Sequence, residues 1–212
     1  MCLRMRLLLC CTCLAILASC VESEHPLSDP MTSKQDPRLY GVWRKAKEDD
    51  TVEYVHIGRE AYEPLDPNRG QPEPGLMRYW TVKQSDKTHH VENPTGTRFF
   101  CTKIAGQDFA SWVAEPNPAQ HKPRTFFLLK YHVDENQLFV WLQDPEATAR
   151  AIEAGKLKGV VKRKQRKATT EAAQFDELRI TDSTEELIRF LADGGAAACF
   201  LDDNKSVYSR IR

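Results

Sequence analysis

The stretch Leu39-Tyr40-Gly41-Val42-Trp43 (LYGVW) and the short apolar segments that follow it decide the fold of this chain. Residues 41–44 begin a series of segments that are rich in β-branched and aromatic residues and bounded by Gly, Pro, Asn or Asp. Segments of this kind predict antiparallel strands. The strands predicted after residues 41–44 are 51–57, 76–83, 97–104, 109–114, 125–133 and 138–142.

Helical signals begin after residue 143. Asp144-Pro145 predicts a helix start, with Asp as the N-cap and Pro at the first helical position, and Gly155 predicts its end. Ser183 begins a second helix with a capping box, and Gly194-Gly195 is expected to end it. Further strands at 157–163, 175–180 and 206–211 bring the total to about ten strands and two short helices. The sequence therefore predicts a single, mainly β domain over residues 37–212, an antiparallel barrel or sandwich of about 8–10 strands.

The Leu-x-Gly-x-Trp pattern of residues 39–43 resembles the start of lipocalin-like (calycin) domains. In that family the tryptophan plugs the closed end of an eight-stranded barrel, and an arginine from the last strand packs across it. The resemblance implies that Trp43 and Arg210 close the barrel, with Arg212 as the second choice, and that the interior binds small apolar molecules. The chain lacks the Thr-Asp-Tyr-like turn of the family and has two helices, so another antiparallel β or α+β domain is the alternative.

The first twenty residues, MCLRMRLLLCCTCLAILASC, have the layout of an export signal. Arg4 and Arg6 form a basic start, and Leu7 to Leu17 is an uncharged apolar run. A bilayer-spanning helix needs about 20 apolar residues, so this run is too short to span and fits a signal peptide.

Leu17-Ala18-Ser19-Cys20 resembles the bacterial lipobox. The resemblance implies that residues 1–19 are a lipoprotein signal peptide and that Cys20 carries the lipid anchor, including acyl chains such as palmitate. Val21, where an aspartate would favour retention in the inner membrane, implies the periplasmic face of the outer membrane. The alternative is an ordinary secretory signal cut at the same small residues.

Residues 20–36 are expected to be the lipidated cysteine and a flexible tether, because residues 21–36 are polar, contain two prolines and have no apolar period. The whole chain also resembles the small uncharacterised lipoproteins of environmental bacteria. Those proteins share the order of lipobox, short tether and Gly-x-Trp β domain, and the likeness implies no activity.

The composition excludes several classes of protein. Thirty Lys+Arg balance thirty Asp+Glu, whereas a nucleic-acid-binding domain is strongly basic. With 41% hydrophobic and 28% charged residues, the chain is neither disordered throughout nor a multi-span membrane protein. No nucleic-acid partner is expected.

Only two of the seven cysteines, Cys101 and Cys199, lie beyond the first twenty residues. An oxidising, exported compartment permits a disulfide between them. Two buried free thiols are the alternative, and in the apolar run RFFCTKI the Cys101 thiol is expected to be inert.

Seven basic residues in twelve make residues 156–167 (KLKGVVKRKQRK) the most unusual segment. They are Lys156, Lys158, Lys162, Arg163, Lys164, Arg166 and Lys167. In a lipid-anchored protein such a segment predicts contact with an anionic component of the envelope. A solvated connection between elements is the alternative.

Catalytic chemistry has no support in the sequence. There is no framed nucleophile, and the cluster His89-His90-Val91-Glu92 lacks the three or four spaced ligands of a zinc site and predicts a solvated turn. We therefore expect no enzyme activity, no metal and no cofactor.

Aromatic and polar residues on the predicted strands give the candidate ligand pocket. Its residues are Tyr54, His56, Trp80, Phe99, Phe127 and Tyr131. If the barrel is hollow they line an apolar cavity, and if it is filled they are core. The first hypothesis is a non-enzymatic, lipid-anchored envelope protein that holds a small apolar ligand. The alternative is a structural or interaction module acting through residues 156–167.

Overall fold

The structure, a computed structural model, describes residues 21–47, 51–59, 73–85, 88–91, 96–114, 124–164 and 175–211. Its strands are β1 (Glu22–Ser23), β2 (Gly41–Ala46), β3 (Val52–Arg59), β4 (Met77–Ser85), β5 (Thr88–Val91), β6 (Thr97–Ile104), β7 (Gln107–Ala114), β8 (Thr125–Asp134), β9 (Gln137–Leu142), β10 (Gly159–Arg163), β11 (Phe175–Ile180) and β12 (Lys205–Ile211). Its α-helices are α1 (Pro145–Glu153), α2 (Thr184–Phe190) and α3 (Ala196–Cys199).

Eight of the strands close into an antiparallel barrel. The neighbours run β8-β7-β6-β4-β3-β2-β12-β9, and β9 pairs back onto β8 from Leu129↔Leu142 to Asp134↔Gln137. Around the barrel the strands follow chain order, with β5 paired only to β4 among the described strands, and Asp134 and Gln137 flank a two-residue turn between β8 and β9. The predicted mainly β, calycin-like barrel is confirmed.

A second layer covers one side of the barrel. The first half of β8 pairs with β1 at Phe126, β1 pairs in parallel with β11, and β11 pairs with β10. The helices pack with these strands against the outer face of β6, β7 and β8. The resulting outer core includes Phe100, Phe109, Phe126, Leu178, Leu187 and Cys199. A separate inner core lies within the barrel, so β6, β7 and β8 bury side chains on both faces.

Local capping signals place the helices. Asp144 caps α1 by accepting from the backbone N–H of Ala147 at 2.7 Å, and Ser183 and Glu186 form the predicted capping box of α2. The sequence missed α3, which follows a kink where Gly194 has a φ of 95°. None of the helices in the described ranges is long and apolar enough to cross a bilayer.

Residues 21–36 differ from the flexible tether that their polarity predicts. Val21 and Leu27 are buried in the outer core, and Glu22–Ser23 lies between β8 and β11. The backbone N–H of Leu27 donates to Ser111 Oγ at 2.9 Å. Two apolar side chains and strand pairing on both edges therefore hold the segment against the domain, although its composition is that of a linker.

Residues 88–91 also differ from the prediction. The sequence predicts a solvated turn at 89–92, whereas Thr88–Val91 forms β5 and pairs with β4 from Val82↔Val91 to Ser85↔Thr88. The hydrogen bonds of β4, rather than any apolar alternation, hold this short polar strand. Glu92 lies outside the described residues.

Candidate functional site: a cavity inside the barrel

One end of the barrel is closed by Trp43, which is fully buried. Its indole N–H donates to the carbonyl of Leu39 at 2.8 Å. The Arg210 guanidinium lies 4.1 Å from the ring centroid, the contact that the resemblance of residues 39–43 implies. Arg210 also donates to the carbonyl of Tyr40 at 2.6 Å. Gly41 has a φ of +124°, and a Cβ there would lie 3.3 Å from Arg210 Nη1, so both backbone conformation and space favour glycine. Arg212 lies outside the described residues.

Above this plug, the barrel contains a cavity of about 270 Å³ that opens at the other end. Most of its wall is apolar or aromatic. The lining residues are Leu39, Glu53, Val55, Ile57, Tyr79, Thr81, Phe99, Ala110, Trp112, Leu129, Tyr131, Leu138, Val140, Leu142, Ser206 and Tyr208. Tyr79 and Trp112 are in ring contact, with their centroids 4.7 Å apart. An apolar interior with a few polar groups is the usual form of a small-ligand site.

Of the six pocket residues predicted from the sequence, Phe99 and Tyr131 line the cavity. Tyr54, His56 and Trp80 do not. Trp43 pairs with Val55, and strand alternation then places Val55 and Ile57 inside and their neighbours on the outer face.

Trp80 pairs with His56 and shares that outer face. Phe127 has the strand parity of Leu129 and Tyr131 but is not part of the lining. The inner face can be identified from Trp43 on β2 and its partner Val55 on β3. Every second residue from these two faces the interior, which includes Ile57.

Polar groups gather at the open end. Glu53, largely buried, pairs with Lys47 at 2.7 Å and accepts a hydrogen bond from the Tyr208 hydroxyl at 3.0 Å. Burial alone would raise the pKa of Glu53, but the hydrogen bond and charge of Lys47, with Tyr208, outweigh it and lower the pKa. Glu53 is therefore ionised at neutral pH, and its charge is already compensated.

A second polar cluster joins residues 36–38 to the barrel wall. Asp36 accepts from the Tyr131 hydroxyl at 2.8 Å and from Arg38 at 2.7 Å, and Arg38 also pairs with Asp108 at 2.8 Å. Burial opposes ionisation of Asp36, but the bonds from Arg38 and Tyr131 prevail and lower its pKa. Burial, the neighbouring Cys101 and the charge of Asp36 raise the pKa of Tyr131, which keeps its proton and donates.

The two thiols are separate. Cys101 lies in the inner core, with its Sγ 3.7 Å from Met77 Sδ, while Cys199 lies in the outer core. Both are free and buried, so the structure has two buried thiols and not the disulfide. Burial raises the pKa of Cys101 to about 12 and also raises that of Cys199, so neither thiol is an activated nucleophile.

Alkylation should be slow at both thiols in the folded protein. The shift of the Cys101 pKa from 9.0 to about 12 implies about a thousandfold smaller thiolate fraction at neutral pH. We expect iodoacetamide to label Cys101 and Cys199 fully in urea and hardly at all without it, as measured by peptide mass spectrometry. A disulfide-linked peptide pair, or rapid labelling of native protein, would contradict this arrangement.

Three of the seven basic residues in 156–167 form ion pairs with acidic side chains of the same molecule. Lys158 pairs with Glu186, Lys162 with Glu177 at 2.6 Å, and Arg163 with Glu146 at 2.9 Å. Lys156 and Lys158 line a groove of about 560 Å³ beside α2 that carries acidic side chains as well. Lys164 is exposed, and Arg166 and Lys167 lie outside the described residues. These ion pairs reduce the charge that an anionic partner would meet.

Histidines are spread over separate surfaces. His56, His90 and His132 are exposed on different strands, and His132 lies beside Phe139. Within the described ranges, no three His, Cys, Asp or Glu side chains gather closely enough to hold a metal ion.

Comparisons of the chain with protein-family models, with curated proteins and with solved structures give no match.

Proposed function

We propose that the protein is a non-enzymatic, lipid-anchored protein of the bacterial cell envelope that holds a small apolar ligand inside its barrel. The observation that carries the proposal is the cavity of about 270 Å³, open at one end and plugged at the other by Trp43 and Arg210. Its wall offers aromatic and aliphatic surface, which favours apolar ligands through burial at roughly 25 cal/mol per Å².

The polar groups nearest the cavity support binding rather than covalent chemistry. The hydroxyls of Tyr131 and Tyr208 donate to Asp36 and Glu53, respectively, so each carboxylate already has partners. The Cys101 thiol keeps its proton at neutral pH because burial raises its pKa. In this arrangement the side chains orient and enclose a ligand.

Mass spectrometry of protein purified gently from its own envelope tests ligand binding. Spectra recorded under native conditions and after organic extraction should differ by one small apolar molecule per chain. An empty protein that also fails to bind apolar fluorescent probes would contradict the proposal.

Anchoring is proposed to occur through Cys20, which immediately precedes the buried Val21. Because residues 21–36 pack on the barrel, the anchored domain would lie against the bilayer rather than on a long tether. We place the protein at the periplasmic face of the outer membrane.

The variant Cys20→Ser should move the protein from the membrane fraction almost wholly to the soluble exported fraction, because acyl chains contribute about 0.8 kcal/mol per buried CH₂. Cys13→Ser, within the signal, should leave the protein in the membrane fraction. Immunoblots of separated outer membrane, inner membrane and soluble fractions measure both. Membrane retention of Cys20→Ser would rule out the anchor.

A further inference from the structure

We propose that the outer face of β9 and β12, together with the rim residue Leu142, seats on the bilayer that carries the Cys20 anchor. This seating presupposes the proposed anchor and states which side of the domain meets the lipid. Two features support it. The chain leaves the domain toward Cys20 beside Leu142, and the adjoining face exposes aromatic and aliphatic side chains.

One edge of β8 receives two strands. β9 pairs with this edge as far as Leu129↔Leu142. β1 pairs with it at Ser23↔Phe126 and, like β9, runs antiparallel to β8, so β1 continues the line of β9 along the edge. Val21 precedes Ser23 by two residues and is therefore about one register step from Leu142. The chain leaves the domain toward its anchor beside the end of β9.

The side chains near this point are apolar and exposed. Leu142 is 53% exposed at the rim of the cavity. Val207 is 37% exposed on the outer face of β12, since its neighbours Ser206 and Tyr208 line the cavity. Exposed apolar surface of this kind marks a contact site.

Two aromatic side chains extend this surface along β9. Phe139 pairs with Val207, and Trp141 follows Phe139 on the same outer face. Both rings are half-buried, and their centroids lie 6.2 Å apart. The aromatic rings, Val207 and Leu142 therefore lie together beside the point where the chain leaves the domain.

Two lysines flank the ring of Trp141. Lys130 and Lys205 pair with it from the strands on either side, and their ammonium groups lie 5.0 and 5.9 Å from its ring centroid. The indole N–H donates to Asp202 at 2.9 Å. Tryptophan with neighbouring lysines is typical of the head-group level of a bilayer, where apolar bodies are buried and polar tips stay in water.

The apolar side chains, rather than a net charge, provide the attraction. Asp202 lies 4.0 Å from Lys205 and offsets part of the positive charge on this face. We therefore expect the seating to persist in high salt, which screens exposed charges.

The position of the anchor limits which surface can meet the lipid. Val21 is buried and directly follows Cys20, so the acyl chains enter the bilayer within one residue of the domain surface. The exposed side chains nearest that point then meet the lipid first. Because Leu142 also lines the cavity, this seating brings the open end of the barrel to the bilayer.

Quenching by a nitroxide lipid measures which side of the domain meets the bilayer. Lipidated mature protein is labelled with a nitrobenzoxadiazole iodoacetamide at Val207→Cys or at His90→Cys. It is then reconstituted into vesicles of phosphatidylethanolamine and phosphatidylglycerol that contain a lipid with a head-group nitroxide. Labelling without denaturant restricts the dye to the introduced thiol, because Cys101 and Cys199 are buried.

His90 is the matched control position. It is exposed on β5, which pairs with β4, and β4 lies four strands from β9 around the barrel. The nitroxide should quench most of the emission at Val207→Cys and little at His90→Cys, in low and high salt alike.

A second variant tests the aromatic surface itself. Adding Trp141→Ala should reduce the quenching at position 207. Trp80→Ala should not, although it also truncates a half-buried tryptophan on the outer face, because Trp80 belongs to β4.

The outcomes separate the seating from the anchor. Protein that floats with the vesicles but is quenched equally at both positions, or unchanged quenching in Trp141→Ala, would overturn the seating and leave the anchor intact. Protection of the Val207→Cys label from aqueous iodide without quenching by the nitroxide would show that a second copy of the chain covers the face, which also overturns it. Protein that does not float with the vesicles would overturn the proposed anchor, and the seating with it.

Discussion

Replacing Trp43 by Ala is expected to lower the free energy of unfolding by about 3–5 kcal/mol, the range for removing a large buried aromatic side chain. Trp43 is fully buried and carries the guanidinium of Arg210 on its ring. The substitution removes its packing, leaves the Leu39 carbonyl without the indole donor, and opens the closed end of the barrel. Urea denaturation followed by circular dichroism measures the loss.

Trp141→Ala is the matched control, because Trp141 lies half-buried on the outer face and donates to the exposed Asp202. We expect it to cost about 1 kcal/mol or less. If Trp43→Ala does not fold at all, Trp43→Phe provides a smaller loss that can still be measured. A loss at Trp43 no larger than that at Trp141 would show that Trp43 does not plug the barrel.

Filling the cavity with Ala110→Phe is expected to weaken apolar ligand binding about a hundredfold, which corresponds to roughly 2.7 kcal/mol. Ala110 lies on the inner face between Cys101 and Leu129 and lines the cavity. A phenyl ring there would occupy the space that the ligand needs. Its stability cost should stay within about 1–3 kcal/mol, because a cavity can accept part of the added volume.

Ala46→Phe makes the same substitution at an exposed position of β2. It should leave affinity unchanged when the same fluorescent probe is titrated into both folded variants. Unaltered binding in Ala110→Phe would show that the ligand site is elsewhere.

Elements defined by local signals could be predicted from the sequence. Asp144 and Ser183 cap helices through bonds within three residues, and Gly155 ends α1 with a φ of +68°. The barrel strands could also be predicted, because each is itself an apolar segment rich in β-branched residues. The chain near Glu22–Ser23 carries no such signal, because its strand forms only when β8 and β11 are present on either side.

The sequence leaves open whether the barrel is hollow or filled, and it identifies only part of the cavity lining. Their aromatic character correctly identifies Phe99 and Tyr131 as cavity residues. The sequence also predicts Tyr54 and His56 inside the barrel, whereas the strand register places Val55 and Ile57 there. A shift of one residue reverses the face of every side chain in a strand. Because β6, β7 and β8 are buried on both faces, their apolar runs do not distinguish inside from outside.

A crystal structure with a brominated aliphatic alcohol tests the hollow barrel most directly. We expect anomalous bromine signal inside the barrel, near Tyr79, Trp112 and Leu129. Ala110→Phe, crystallised in the same way, should lose that signal. A wild-type interior filled by its own side chains, with bromine found only on the outer surface, would show that the barrel is not hollow.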